Sequence, residues 1–381
     1  MTRIKKEDYL ISNIDQLDSP VLVIYPDKVK SNIRLMVEMA GGNTASLRPH
    51  VKTHKSPDAT RLLLEAGIHK FKCATIAEAE MLALSGAGDV LLAYQPVGPK
   101  LHRFLSLVRK YPATKFACLI DNLVAAREMD RAFGAAGLRV PVYIDLNVGM
   151  NRTGILPGEA LTLYKEAAKA TGITPVGLHA YDGHIRDLDW EQRKEKCDAA
   201  FAQVVALKDA ISALAPAPAA PSRPADLIIV AGGSPTFSIH CKREGIECSP
   251  GTFIYWDKGY SDGCPEQAFT PAALVITRVV SLPEPTKLCL DLGHKSIAAE
   301  NELSRRVFFP GAEDLKPLGQ SEEHLVVEAG PGHSYQVGDV LYGIPLHICP
   351  TVALYERACI IENGRLTGEW RTTARDRKIS V

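Results

Sequence analysis

The sequence has no excess of charge of either sign and no long hydrophobic run. Lys and Arg together number 44 and Asp and Glu together number 44, so the formal net charge is +0. Nucleic-acid-binding proteins usually carry a basic excess, and the balance argues against that class. The longest apolar stretch, residues 340–355, contains Pro and His and is shorter than the about 20 residues that a membrane span needs.

Signal-peptide and disulfide features are also missing. The first eight residues, Met-Thr-Arg-Ile-Lys-Lys-Glu-Asp, contain no apolar core of a secretory signal. The nine cysteines, from Cys73 to Cys359, are odd in number and form no Cys-x-x-Cys pair. In a chain of 381 residues this favours reduced thiols over a disulfide framework. We therefore expect a cytoplasmic protein.

The chain does contain a regular alternation of short apolar runs and helix-like segments. Runs that are apolar on both faces are typical of parallel strands covered by helices. Seven runs are clear and the last one is weaker: Leu47–Lys52, Phe71–Ala74, Val90–Ala93, Phe116–Ile120, Val140–Asp145, Val176–Tyr181, Leu227–Val230 and Thr252–Trp256. Eight repeats predict an α/β fold, a (β/α)8 TIM-type barrel. A doubly wound open sheet would show the same alternation, so only the count of eight repeats indicates that the sheet closes into a barrel.

The last third of the chain has a different pattern. From about Pro265, strand-like runs follow one another without amphipathic helices: Ala273–Leu282, Lys287–Leu290, Leu325–Val327, Val340–Ile344 and Ala353–Ile361. We predict a barrel over 18–264 and a β-domain formed by 1–17 and 265–381. Ala215–Pro224, rich in Pro and Ala, is predicted to be an extended loop before the seventh strand.

A cationic cluster ends the first predicted barrel strand. It spans Arg48 to Lys55, and in a strand Arg48, His50 and Lys52 would share one face. Active sites of such barrels lie at the C-terminal ends of strands. Cationic neighbours and partial burial would lower the pKa of Lys52 and free its amine for imine formation. A solvated basic loop is the alternative.

Two further loops follow predicted strands. In residues 147–154 two glycines bracket Arg152, which could hold an anionic oxygen or could be an ordinary surface arginine. Residues 231–236 and 250–252 are rich in Gly, Ser and Thr and could bind a phosphate at the last two strands, or form plain tight turns. Neither of these two segments matches the Gly-x-Gly-x-x-Gly pattern of dinucleotide-binding loops.

His347 and Cys349 form a possible metal-binding pair in the predicted β-domain. In a strand, positions two apart project on the same side, so the imidazole and the thiolate could share one ion. A buried core histidine beside a buried cysteine is the alternative.

Taken together, these motifs resemble the D-threonine aldolase and D-serine dehydratase-like family, within the fold-type III pyridoxal-phosphate enzymes related to alanine racemase. The resemblance runs from about Asp18 to Lys378. Its motifs are Arg48–Lys55, Asp145–Gly154, Gly177–Tyr181, Gly232–Ser234, Pro250–Thr252, Ser321–His324 and Pro345–Thr351.

The resemblance implies a role for each matching residue. Lys52, and not Lys55, matches the lysine that forms the Schiff base with pyridoxal phosphate. Arg152 matches an arginine near the phenolic oxygen of the cofactor, and Tyr181 a tyrosine at the cofactor and substrate. The phosphate would be held by Gly233, Ser234, Thr236, Gly251 and Thr252. We predict Lys52, Tyr181 and His50 as catalytic residues.

The metal ligands are where the sequence departs from the familiar aldolase pattern. His347 and Cys349 match the two protein ligands of a divalent ion, which could be manganese, magnesium or zinc. In the familiar aldolases the second ligand is an aspartate, and in the dehydratases it is a cysteine. A metal beside the substrate's β-hydroxyl could promote either Cα–Cβ cleavage or β-elimination.

The leading hypothesis is a metal-assisted aldolase that cleaves D-threonine and other D-β-hydroxy-α-amino acids to glycine and an aldehyde. A D-serine or D-threo-3-hydroxyaspartate dehydratase, which releases a 2-oxo acid and ammonia, is the alternative. A third possibility, from another class, is a non-catalytic barrel that carries pyridoxal phosphate. The family resemblance also implies a homodimer.

Overall fold

The computed structural model describes residues 4–214 and 227–381, so the predicted Pro/Ala-rich loop lies outside the described residues. The chain divides into two compact units. One contains the residues up to Leu35, Thr53–Ala59 and Thr252–Arg375, and the other contains Met36–Lys52, Thr60–Gly251 and Asp376–Val381. The predicted boundary between residues 264 and 265 stays a prediction. Across the described ranges, each helix is too short or too polar to cross a membrane.

The second of these units, which we call the barrel unit, contains a seven-stranded parallel sheet whose order follows the chain. The strands are Lys70–Cys73, Asp89–Leu92, Lys115–Ile120, Val140–Leu146, Ile173–Ala180, Ile228–Ala231 and Ile246–Cys248. The helices around them are Pro57–Glu65, Ile76–Leu84, Pro99–Lys110, Leu123–Ala135, Pro157–Ala167, Trp190–Ser212 and Phe237–His240. The strands are almost entirely buried, as parallel strands covered by helices must be.

The sheet is closed into a ring by the segment 47–51. Leu47 forms a parallel bridge to Cys248 in the last strand, and His50 forms one to Lys72 in the first. The backbone N–H of Arg48 donates to the Cys248 carbonyl over 2.8 Å, and the N–H of Lys72 donates to the Pro49 carbonyl over 2.9 Å. These bonds join both edges of the sheet, so the prediction of a barrel is confirmed.

The prediction of an eighth strand at Thr252–Trp256 is wrong. Residues 252–254 form a 3-10 helix, and the last strand is Ile246–Cys248. The N–H groups of Tyr255 and Trp256 both donate to the Thr252 carbonyl, over 3.1 and 2.6 Å. Because these donors are satisfied within a turn, they are not available to a strand ladder.

The other unit contains a mixed sheet, mostly antiparallel. Its strands are Val21–Ile24, Ala273–Glu284, Lys287–Leu290, Val307–Phe308, Lys316–Gln320, Leu325–Glu328, Val340–Pro345, Arg357–Glu362 and Arg365–Arg371. The core of this unit includes Val23, Leu274, Ile276, Tyr342 and Ile344. Strand Val21–Ile24 lies between Ala273–Glu284, to which it is antiparallel, and Arg357–Glu362, to which it is parallel.

The mixed-sheet unit also contains helices. Helices Pro26–Met39, Lys258–Gly263 and Ile348–Leu354 fall wholly or partly within it. The strand predicted over Ala353–Ile361 begins at Arg357, because the N–H of Tyr355 still donates to the Val352 carbonyl of the preceding helix. His347 and Cys349 therefore lie at the start of a helix, and strand periodicity does not bring them together.

Arg48 is the most deeply buried charge of the closing segment, and it has a structural role. Its guanidinium is fully buried and forms ion pairs of 2.6 Å with Asp89 and with Glu247. Glu247, in the last strand, also accepts from Lys70 in the first strand over 2.5 Å. This network of charges crosses the closure of the barrel. Arg48 therefore stabilises the closed barrel.

We predict that Arg48→Leu lowers the free energy of unfolding by about 3 kcal/mol or more, because it removes a buried counter-ion from the buried Glu247 carboxylate. Urea titration followed by circular dichroism measures the change. Arg131→Leu, which removes an exposed arginine from helix Leu123–Ala135, is the matched control and should change stability little. Equal midpoints for the two variants would contradict the structural role of Arg48.

Candidate functional site

Lys52 comes directly after the segment that closes the barrel. Its backbone N–H donates to His50 Nδ1 over 3.2 Å, so His50 helps to hold the turn. The Lys52 side chain is half-buried, and its Nζ lies 5.7 Å from the centroid of the Tyr181 ring. Lys55 belongs to the other unit, where its carbonyl accepts from the Ala374 N–H over 3.0 Å. Lys52 and Lys55 thus belong to different units of the fold.

Tyr181 lies against two glycines that leave room for its ring. A Cβ on Gly183 would lie 2.2 Å from the Tyr181 hydroxyl oxygen, and a Cβ on Gly233 would lie 2.8 Å from the ring. Any larger residue at either position would displace the ring. Tyr181 follows strand Ile173–Ala180 directly, at the C-terminal edge where barrels of this type place their active sites.

Arg152 approaches the same ring from the loop after strand Val140–Leu146. Its guanidinium carbon lies 4.9 Å from the Tyr181 centroid. The Asn147 side chain shapes this loop, because its Oδ1 accepts from the N–H groups of Gly149 and Asn151. Gly154, with φ of +100°, closes it, and a Cβ there would lie 2.6 Å from the Asn147 nitrogen. The glycine pattern therefore shapes the loop that carries the arginine.

Lys72 is a site residue that sequence reasoning missed. It lies in strand Lys70–Cys73, is 2% exposed, and its Nζ is 5.8 Å from the Tyr181 centroid. The Nζ also lies 3.4 Å from His179 Nε2, and His179 Nδ1 lies 2.7 Å from Asp145 Oδ1. Burial, with a further contribution from the charge of Lys52, lowers the pKa of Lys72 to about 7. The sequence feature that could have identified Lys72 is a lysine within the otherwise apolar run Phe71–Ala74.

The predicted phosphate loops meet within the barrel unit. The Gly251 N–H donates to Ser234 Oγ, and the Gly233 N–H donates to Thr236 Oγ1, each over 3.3 Å. Ser249 Oγ is buried and has no hydrogen-bond partner among the residues that the structure describes. Thr252 belongs to the other unit, where its hydroxyl is 3.6 Å from Cys349 Sγ. Gly233, Ser234 and Gly251 are therefore brought together.

A buried polar cluster lies behind the first of these loops. Asp182 accepts from Thr236 Oγ1 over 2.7 Å and pairs with His240 Nε2 over 2.8 Å, and Cys197 Sγ lies 3.6 Å from the same carboxylate. Asp182, Cys197 and His240 are close enough to hold a metal ion. Burial raises the pKa of the Cys197 thiol to about 12, so the thiol is protonated at neutral pH when no metal is bound. We interpret the cluster as a hydrogen-bonded support of the loop through Thr236.

His347 and Cys349 do come together in the mixed-sheet unit, through a side-chain hydrogen bond. Burial alone would raise the pKa of the Cys349 thiol, but the bond to His347 lowers it below the usual value. Burial opposes protonation of His347, yet its partners, led by Cys349, raise its pKa to about 9. The Cys349 thiolate is therefore favoured, and the thiolate is the form that binds metals.

Two carboxylates that sequence reasoning missed lie beside this pair. Glu300 Oε1 lies 2.5 Å from His347 Nδ1, an arrangement that orients a metal-binding imidazole. Asp257 is fully buried and accepts from the N–H groups of Ile348 and Tyr260, over 3.1 and 2.8 Å. Burial raises the pKa of Asp257 to about 6. Neither residue belongs to a short motif, so the sequence carried no local signal for them.

Comparison with known proteins gives consistent results. Residues 24–258 match the family model of the alanine racemase N-terminal domain, and residues 272–361 match a serine dehydratase domain. The chain is 29% identical to a 3-hydroxy-D-aspartate aldolase of Paracoccus denitrificans, over 94% of this chain and 92% of that protein. It is 28% identical to a D-threonine aldolase of an Arthrobacter species, over 94% and 93%.

Two further proteins extend the comparison. A D-threo-3-hydroxyaspartate dehydratase of a Delftia species is 33% identical, but over only 36% of each chain. The crystal structure of the D-threonine aldolase from Filomicrobium marinum superposes with a TM-score of 0.84 at 24% identity, covering 94% of this chain and 95% of that one. At this identity the superposition shows the fold. Because the alanine racemase model spans more than half of the sequence, the chain belongs to the family of proteins with an alanine racemase N-terminal domain.

Proposed function

We propose that the protein is a lyase that depends on pyridoxal phosphate and a divalent metal, and that it cleaves D-threonine and other D-β-hydroxy-α-amino acids to glycine and an aldehyde. The observation that carries the proposal is the convergence of Lys52, Arg152 and Lys72 on the ring of Tyr181. A cluster of cations at the carboxyl ends of barrel strands fits an anionic cofactor. Relatives that match along nearly the whole chain are named as aldolases.

The barrel residues fit pyridoxal phosphate. Within the described residues the buried Ser249 hydroxyl has no hydrogen-bond partner, and the bond from the Gly251 N–H to Ser234 Oγ joins the two loops that the resemblance assigns to the phosphate. Pyridoxal phosphate, when bound, supplies an electron sink for the bonds at the amino-acid Cα. Lys52 would hold its aldehyde, and Gly233, Ser234 and Gly251 would hold its phosphate.

The remaining barrel residues orient and tune the site. Arg152 would present a permanent charge to an anionic oxygen, and Tyr181 places its ring beside Lys52 and Arg152. Thr236 holds the loop, since its hydroxyl proton is donated to Asp182. His50 accepts from the Lys52 N–H and so fixes the turn that presents Lys52.

His347 and Cys349 would hold the divalent ion, which when bound acts as a Lewis acid. An imidazole with a thiolate is a softer donor set than an imidazole with a carboxylate, and it favours zinc over magnesium or manganese. Glu300 would fix the imidazole orientation.

A D-β-hydroxy-amino-acid dehydratase is the second candidate function. Cys349 favours it, because the resemblance associates cysteine at this position with the dehydratases and aspartate with the aldolases. A relative named as a dehydratase matches part of the chain. The homodimer and the cytoplasmic location stay predictions.

Incubation of the cofactor- and metal-loaded protein with D-threonine tests the proposed reaction. We expect acetaldehyde and glycine in equal amounts, and no product from L-threonine. Production of 2-oxobutyrate and ammonia would make the dehydratase correct. Absence of product from any D-β-hydroxy-amino acid would favour a cofactor-carrying protein.

Lys52 should carry the cofactor. We expect borohydride reduction of the loaded protein, followed by peptide mapping, to label Lys52, because the resemblance assigns the imine to Lys52 and its amine lies 5.7 Å from the centroid of the Tyr181 ring. Lys52→Arg should abolish the visible absorbance of the bound cofactor, and the matched Lys55→Arg should retain it. A label on Lys55 with Lys52 unmodified would disprove the assignment.

Cys349→Ala should lose metal and turnover together but keep the visible absorbance at Lys52. The loss in metal affinity should reach about 10- to 100-fold or more, since even outer partners of metal ligands contribute that much. Cys359→Ala, which removes another half-buried thiol, is the control. Metal content and rate are measured for both variants, and a Cys349→Ala protein that keeps both would show that Cys349 is only a core thiol.

A further inference from the structure

Lys72 is an interior cation at a position where the fold alone would accept an apolar side chain. Its neighbours Phe71 and Cys73 are fully buried, and its register partner in the next strand is Leu91. Burying an ammonium group costs much more than burying a methionine or leucine of similar size. A lysine kept here therefore suggests a ligand that needs its charge.

The hydrogen bonds of Lys72 have a defined direction. Burial, with a further contribution from the charge of Lys72, lowers the pKa of His179, so its ring is neutral and carries a single proton. That proton belongs on Nδ1, which faces the Asp145 carboxylate at 2.7 Å. The bare Nε2 then accepts from Lys72 Nζ, at 3.4 Å. The partner of the ammonium group is thus a neutral imidazole, which does not cancel its charge.

The charges around Lys72 do not neutralise the cluster. The positive charges of Lys52 and Arg48 lower the pKa of Lys72, and the carboxylates of Asp145 and Asp182 raise it. Three cations, Lys52, Lys72 and Arg152, lie at the Tyr181 ring. These two carboxylates offset only two of the three positive charges. The space around the Tyr181 ring therefore has a surplus of positive charge that an anion would balance.

We propose that Lys72 is an additional binding residue of the barrel site, whose ammonium group contacts an anionic oxygen of the bound cofactor or of the amino-acid substrate. The inference rests on the proposed function, and it adds a residue that the family motifs do not include. Two sources of that oxygen are open, pyridoxal phosphate and the substrate carboxylate.

The variants Lys72→Met and Lys72→Arg test the inference, with Lys115→Met on the next strand but one as the matched exposed control. If the oxygen belongs to the cofactor, Lys72→Met should weaken pyridoxal phosphate binding by about 10- to 100-fold, the effect of a lost hydrogen bond to a charged group. If it belongs to the substrate, cofactor affinity should hold and the KM for D-threonine should rise by a similar factor. Lys72→Arg should retain most of the affinity.

The pH dependence gives a second readout. Because the pKa of Lys72 is about 7, its charge is lost as pH rises through that value. Affinity for the anionic ligand should therefore fall above pH 7 in the unaltered protein. The arginine of Lys72→Arg stays charged, so the affinity of this variant should fall less above pH 7. The difference between the affinity–pH curves of the unaltered protein and of Lys72→Arg separates the titration of Lys72 from that of the ligand.

Stability of the cofactor-free protein separates a binding role from a structural one. A lysine whose pKa is lowered by folding binds fewer protons than in the unfolded chain, so it opposes folding below the unfolded pKa. Lys72→Met should therefore raise the melting temperature by a few degrees at pH 6 to 7.

The outcomes separate the inference from the proposed function. Unchanged cofactor affinity and unchanged KM in Lys72→Met, or a lower melting temperature with function intact, would overturn the role of Lys72. Failure of the unaltered protein to bind pyridoxal phosphate would instead overturn the proposed function, and the inference with it.

Discussion

The closure of the barrel by residues 47–51 is the constraint on which the barrel site depends. This segment bridges the last strand at Cys248 and the first at Lys72, and it ends where Lys52 begins to turn away. The Lys52 amine is therefore presented at the rim of a ring that Arg48, Asp89 and Glu247 hold together by buried ion pairs. The same short stretch of sequence contains Arg48, which stabilises the barrel, and Lys52, the proposed cofactor-binding lysine.

Around Tyr181 the protein concentrates positive charge that its balanced composition does not reveal. Lys52, Lys72 and Arg152 come from three different strands or loops, and Gly183 and Gly233 leave room for the ring that lies near all three cations. Desolvation of these groups costs stability, and bound anions offset that cost. An anionic cofactor would therefore balance the positive charge around Tyr181.

Much of the fold and part of the site could be predicted from sequence, because local signals carried them. The apolar runs located six of the seven barrel strands, and the glycines of residues 147–154 marked the loop that bears Arg152. Thr252–Trp256 was misassigned because an apolar run does not distinguish a strand from a tight turn. Lys72, Asp257 and Glu300 act through partners distant in sequence, such as His179 and His347, and only the folded chain shows those contacts.

The choice between aldolase and dehydratase depends on the chemistry at Cys349, whereas the cofactor site depends on the barrel alone. The most direct test of the account is therefore a crystal structure of the protein with pyridoxal phosphate. We predict density continuous from Lys52 Nζ to the cofactor, a ring against Tyr181, and a phosphate at the N–H groups of Gly233 and Gly251. A cofactor joined to another lysine, or a phosphate bound away from these glycines, would contradict the account.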